Sequence, residues 1–458
     1  MPTASERLAA FSGALTLDAV PPAVRQAATL HLLDALGTGL AAHALGVATE
    51  GRAILDDLGG PGPATVIGRP RPVQPAAAAF ANAMLCHGLD YDDTHGPSIC
   101  HVTTVVGPAA LAAGQAARRS GAEVLAAQVA GSEVVTRLGA AASGVFHARG
   151  FHPTSVCGIF GATVAAARLT GLGEAATAEA LGVAGSLASG LLAFLADGTP
   201  TKPIQAGWAS HGAVVAARLA GAGARGPRSV LEGRFGLFHA FAGQEAIDLE
   251  GALDDLGAHW ETPRVAFKAY PACHLMHGAL GALSAAVGGR ALPVEAVAEV
   301  LVQVPKAVVP IVLEPAAEKA APRSEYDGRF SLPFSAAALL ATGRLDLRSF
   351  GPGPRADRAL LGLAGRVRYE PGDFPAGASP FAGRARVRLT DGRVVEAECL
   401  HQKGGPENPM EQEEVIGKYR ANAGLALGTA AVATLERAVL EIEAAPDLQT
   451  LAAPLAGA

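Results

Sequence analysis

A large helical body carrying a smaller α+β insertion is the architecture that the sequence predicts, and three observations predict it. Apolar residues recur at helical spacing from Ser5 to about Ala258, the pattern turns strand-like after Pro263, and helical periodicity returns from Glu411 to Ala444. The expected fold class is therefore mainly α. Residues 1–265 and 403–458 are expected to form an all-helical domain, and residues 266–402 an α+β lid domain inserted before the C-terminal helices.

The elements follow in chain order. Val24–Leu40, Ala76–Leu85, Val105–Ala117, Val124–Leu138 and Gly212–Leu219 read as helices, separated by Gly- and Pro-rich breaks. Their Ala and Gly content suits close helix contact, and no Rossmann or P-loop fingerprint appears among them. No nucleotide cofactor is expected. Past Pro263, Val300–Val304 and Arg366–Tyr369 read as strands, and Ala385–Leu389 with Arg393–Leu400 as a hairpin turned by Asp391-Gly392. Pro293–Val297, Ser335–Thr342 and Asp357–Leu363 read as helices between them.

At 458 residues the chain is long enough for two domains. Mean hydropathy is +0.28, but the apolar content is rich in Ala and Gly. Charges or prolines interrupt every apolar run before the roughly 20 residues that a membrane span needs. Met1–Ala10 has Glu6 beside Arg7 and no basic segment leading into an apolar run, so no signal peptide is expected and the cytoplasm is the default. The 36 Lys and Arg against 42 Asp and Glu give a net charge of −6 without a basic block, which argues against nucleic acid as a partner. Five scattered cysteines, Cys86, Cys100, Cys157, Cys273 and Cys399, contain no CxxC pair and read as free thiols in a reducing compartment.

Four polar segments could carry chemistry. The densest runs from His87 through Asp90, Asp92, Asp93, Thr94 and His95 to His101. Buried, such a cluster must be paired; otherwise it is a solvated loop capping the helix that begins near Thr103. Metal binding is disfavoured, because no HExxH or facial-triad spacing is present and the three Asp crowd one turn. His152, restrained by Pro153 at a helix entrance, is either structural or a general base. Lys202, in a Thr/Pro-rich loop before Gly207 and Trp208, is either a surface residue or a carboxylate clamp. Lys268, Tyr270, Cys273, His274 and His277 stand where the chain enters the smaller domain, a place suited to an anionic ligand. A Cys273–His274 nucleophile is not expected, since sequence neighbours rarely form such a dyad.

Together these segments resemble the MmgE/PrpD family over nearly the whole chain. The resemblance rests on Asn82 with His87-Gly-Leu-Asp90-Tyr-Asp92-Asp93-Thr94, Gly-Phe-His152, Thr201-Lys202 with Gly207-Trp208-Ala209, and Lys268-Ala-Tyr270-Pro271 with His277. It continues in Phe330-Ser331-Leu-Pro and Lys403-Gly404-Gly-Pro-Glu-Asn408-Pro409. It implies a homodimer and a cofactor-free site at the domain junction that acts on polycarboxylates. Catalytic positions implied are Asp90, Thr94, His101 and His152; substrate-binding positions are Lys202, Lys268, Tyr270 and His277.

Abstracting a proton beside a carboxylate builds negative charge that fixed cations and donors must stabilise. A lyase, either a dehydratase or a decarboxylase, is the leading expectation. An isomerase or epimerase acting α to a carboxylate and a non-catalytic scaffold are the alternatives. Many relatives have a basic residue and a His near Pro203, Ile204 and Gln205, Arg at His274 and Tyr at Phe334. These departures point to a smaller substrate or a dicarboxylate.

Overall fold

The computed structural model describes residues 2–243 and 247–458. Helices hold 57% of the residues, which makes the fold mainly α. The body is built from Pro22–Ala44, Pro75–Gly88, Thr103–Ala116, Gly121–Ala141, Pro153–Leu169 and Lys202–Gly221. Pro22, Pro75 and Pro153 each open a helix, where the missing N–H would have had no intrahelical partner. Small residues let the helices touch: a Cβ on Gly161 would strike the carbonyl of Gly131 in the neighbouring helix.

Two apolar cores form. The larger runs from Ala4 to Val265 and takes in Ile416, Tyr419, Leu435 and Ile442 from the C-terminal helices Gln412–Ala423 and Thr429–Leu440 and the turn after them. The smaller runs from Ala272 to Leu389 and is joined by Phe194. It holds a four-stranded sheet in the order Val367–Pro371, Val297–Val304, Gly383–Leu389, Val394–Cys399. The first pair is parallel and the others antiparallel, with the hairpin turned at Asp391-Gly392, where Gly392 has φ 88°. One outer face of this sheet is a solvated ladder of ion pairs, Arg384–Glu398, Arg386–Glu396 and Arg388–Glu299.

The body is not purely helical, contrary to the all-helical expectation. Pro61–Val66 and Arg69–Val73 form an antiparallel ribbon, and Thr94–His95 pairs with Val265–Ala266. The ribbon persists despite its Pro and Gly because the Asn82 amide completes it, accepting from Ile67 N at 3.0 Å and donating to Thr65 O at 2.9 Å. Pro293–Val297 is helical only over Val294–Ala296, and Val297 already begins a strand. All five cysteines are unpaired thiols, and among the described residues no helix is long and apolar enough to cross a membrane.

Candidate active site

The helix Pro75–Gly88 delivers the chain into the Asp-rich turn, where Asp90 takes a left-handed backbone, φ 50°. Asp90, Asp92 and Asp93 are 1%, 0% and 2% exposed, which decides against a solvated loop. Each carboxylate faces a different set of partners. Asp93 is the helix cap, accepting from Val102 N at 3.0 Å and Thr103 N at 3.2 Å, and it pairs with His31 at 3.1 Å. Asp92 accepts from His87 Nδ1 at 2.7 Å and stands 3.3 Å from His101 Nδ1. Asp90 pairs through Oδ1 with Lys202, and Lys268 Nζ lies 3.1 Å from its Oδ2.

Burial opposes the charged form of Asp90, yet Lys202, Lys268 and His101 outweigh it and hold the carboxyl well below the usual carboxylate range. Asp92 is likewise held low against its burial, by His87 and His101. These are ionised carboxylates, so the imidazole nitrogens facing Asp92 must donate. That leaves His101 Nε2 as an acceptor, 3.1 Å from Lys202 Nζ. Burial drives the His101 imidazole down to about 4, with the Lys202 charge acting in the same direction. The ring is further placed by Thr94 Oγ1, 3.4 Å from Nδ1, and its backbone N–H donates to Thr154 Oγ1 at 3.0 Å.

His152 precedes Pro153 at the entrance of its helix, as the sequence suggests. Its tautomer follows from Gln205. The Gln205 amide nitrogen donates to Leu191 O at 2.7 Å, which turns Oε1 towards His152 Nδ1 at 3.0 Å. Nδ1 therefore carries the proton, and Nε2 is left bare and buried, with no hydrogen-bond partner among the described residues. Burial first, and the Lys202 charge next, hold this imidazole well below the ordinary histidine range. His101 and His152 have ring centroids 6.4 Å apart.

These groups open on one cavity between the two cores. Asp90, Thr94, His101, His152 and Lys202 line it from the body, and Cys273, His274 and Phe330 from the smaller unit. Lys268 is fully buried behind Asp90 and reaches the cavity only through it. Tyr270 and His277, expected to bind substrate, do not line the cavity. The His277 ring instead packs at 5.3 Å from Tyr270, and its Nε2 lies 3.2 Å from Ala272 O. His274, three residues earlier, takes the facing position. Phe334 is buried in the smaller core beside Phe350. His147 and Gln205 were missed as site residues: His147 lines the cavity and Gln205 orients His152. Gln205 carried a signal as a departure from the family pattern shortly after Lys202, not as a partner of His152.

The Asp90, Asp92 and Asp93 carboxylates diverge, so they do not make the acidic metal site that the sequence raises and disfavours. His87, Asp92 and His101 do gather, with ligand atoms within 4.8 Å of one another. The 2.7 Å contact of His87 Nδ1 with Asp92 Oδ2 is a hydrogen bond, so those two atoms already satisfy each other.

Comparison with known proteins bears on the whole chain. A model of the MmgE/PrpD N-terminal domain matches residues 6–250, and one of the MmgE/PrpD C-terminal domain matches residues 270–444. The chain belongs to the MmgE/PrpD family. Among MmgE/PrpD relatives, the cis-aconitate decarboxylase of Homo sapiens is 31% identical over 408 residues, covering 86% of this chain and 82% of its own. That of Mus musculus is 30% identical over 413 residues, covering 86% and 81%. The cis-aconitate decarboxylase-like protein oryM of Aspergillus oryzae is 27% identical over 458 residues, covering 96% and 94%.

Proposed function

We propose that this MmgE/PrpD protein is a lyase that forms a carbanion beside a carboxylate of a small organic acid, using its own side chains. The observation that carries this reading is the bare Nε2 of His152, a residue that lines the same cavity as Lys202. One group accepts a proton and the other holds negative charge, the two things that such chemistry needs. The names of the relatives, cis-aconitate decarboxylases, support the same class.

In an elimination, His152 Nε2 takes the proton beside the carboxylate. The freed electron pair becomes the new C=C bond, and hydroxide leaves as water with the proton that His152 Nε2 took. In a decarboxylation, the C–C pair stays on the carbon as CO₂ departs, and the carbon takes up a proton that His152 Nε2 has first gained from solvent. Lys202 holds the carboxylate that spreads the charge in both cases. Asp90 and Lys268 hold Lys202 in place, His101 accepts from it, and Thr94 sets the His101 ring. The smaller unit, residues 266–402, acts as a lid over this cavity.

The test is incubation of the purified protein with a panel of di- and tricarboxylates, read by mass spectrometry. Loss of water or CO₂ is expected; exchange of a C–H for deuterium with no change of composition would instead indicate an epimerase.

A further inference from the structure

The cavity offers little positive charge and much apolar wall. Lys202 is the cation lining it among the described residues, and Asp90 already pairs with that ammonium. The other nearby cations do not line it. Lys268 is held on Asp90; Arg329 Nη1 donates to Leu89 O at 2.6 Å; Lys319 Nζ donates to Phe330 O at 2.9 Å. Lys418 is bound to Asp34 at 2.9 Å and to Tyr91 O at 2.8 Å. Behind His101, Asp92 adds a second negative charge. Lys202 and Lys268 both face Asp90, and Asp92 lies behind His101, so among the described residues Lys202 is the one ammonium that a ligand in the cavity can meet directly.

The histidines do not make up the difference. His147 and His274 line the cavity, and burial lowers both, with Lys202 acting further on His147 and His277 and Lys268 on His274. They face a ligand as neutral imidazoles. Both ring nitrogens of His274 are buried without a hydrogen-bond partner among the described residues, so this ring can still meet one polar group. The remaining wall, Leu192, Leu195, Leu275, Ile311, Phe330 and Phe381, is hydrocarbon.

From this distribution we infer that the substrate is a small acid with at most two carboxylates and an apolar arm: one carboxylate meets Lys202, a second polar group meets His274, and the arm lies on the Leu192–Ile311–Phe381 wall. The inference rests on the carboxylate-lyase reading and narrows its substrate. A third carboxylate on that wall would be buried without a counter-charge, which disfavours binding.

The experiment compares two maleates by isothermal titration of the full chain. Cis-aconitate is maleate with a carboxymethyl arm; isobutylmaleate replaces the carboxylate of that arm with an isopropyl group of the same shape. Isobutylmaleate is expected to bind at least about tenfold more tightly. Ile311→Arg, checked for an unchanged melting temperature, is expected to reverse the order by placing a cation on the wall. Equal or tighter binding of cis-aconitate to the unaltered protein overturns the inference, and if that acid is also converted, the lyase reading stands without it. Binding of neither acid at millimolar concentration overturns the carboxylate reading and the inference together.

Discussion

Lys268 grips Asp90 at two points, donating to its backbone carbonyl at 2.6 Å and standing 3.1 Å from Oδ2. Asp90 has φ 50°, a conformation costly for a residue with a Cβ. The ammonium therefore holds both the strained turn and the carboxylate that Lys202 uses. Lys268→Met removes one partner of a buried ion pair and is expected to cost about 3–5 kcal/mol in urea denaturation. Adding Asp90→Asn should restore part of that loss. A single-variant cost within about 0.5 kcal/mol of zero, the range of an ordinary surface change, would show that the clamp does not support the turn.

Acid should destabilise the protein at a pH well above that of ordinary carboxylate titration. His101 is held down to about 4 by burial and then by Lys202, and His87, His152 and His274 are also lowered, burial being the first cause in each. In the unfolded chain a histidine takes up its proton near 6.5, so between about 6.5 and 4 the unfolded state binds more protons than the folded one. Stability therefore falls as pH falls through that window, by on the order of 3 kcal/mol for His101 alone. The Asp90 and Asp92 carboxyls are held below their usual range, so the stability they add is present above about pH 4 and is lost as pH falls further. Urea midpoints measured at pH 7.5, about 6 and about 5 test this; a flat series would contradict it.

Gln205 sets which nitrogen of His152 is bare. Gln205→Leu removes the acceptor from Nδ1 and frees the other tautomer, so kcat should fall by about tenfold to a hundredfold with little change in melting temperature. Gln205→Glu places a carboxylate against Nδ1 and should move the acid limb of the pH–rate profile upward. An unmoved limb would mean that His152 does not carry the titration.

Chelation should leave turnover unchanged, since His87 and Asp92 are hydrogen-bonded to each other at 2.7 Å. Dialysis against a chelator followed by assay tests this. Activity lost and then restored by one divalent ion would promote His87, Asp92 and His101 to ligands.

The chain announces its helices through Pro22, Pro75 and Pro153 at their starts, and its hairpin through Asp391-Gly392, because these are local backbone effects. The clustering of Asp90, Thr94, His101, His152 and Lys202 is legible only through the match of their segments to the family's site positions, because they lie in three separate segments of the chain. The ribbon Pro61–Val73 was not readable, because its stability comes from Asn82 in the following helix rather than from strand propensity. Nor was the exchange of His277 for His274 at the cavity, since three residues on a short turn decide which ring faces inward, and packing against Phe381 at 4.6 Å settles it. Gln205 stayed hidden because its role depends on the carbonyl of Leu191.

The most direct test of the account compares the unaltered protein with His152→Ala on whichever acid of the carboxylate panel is converted. The account predicts a kcat at least about 10²-fold lower for His152→Ala, with melting temperature and ligand binding retained. Turnover within about twofold of the unaltered protein would contradict it, for then the bare Nε2 in the cavity is not the base.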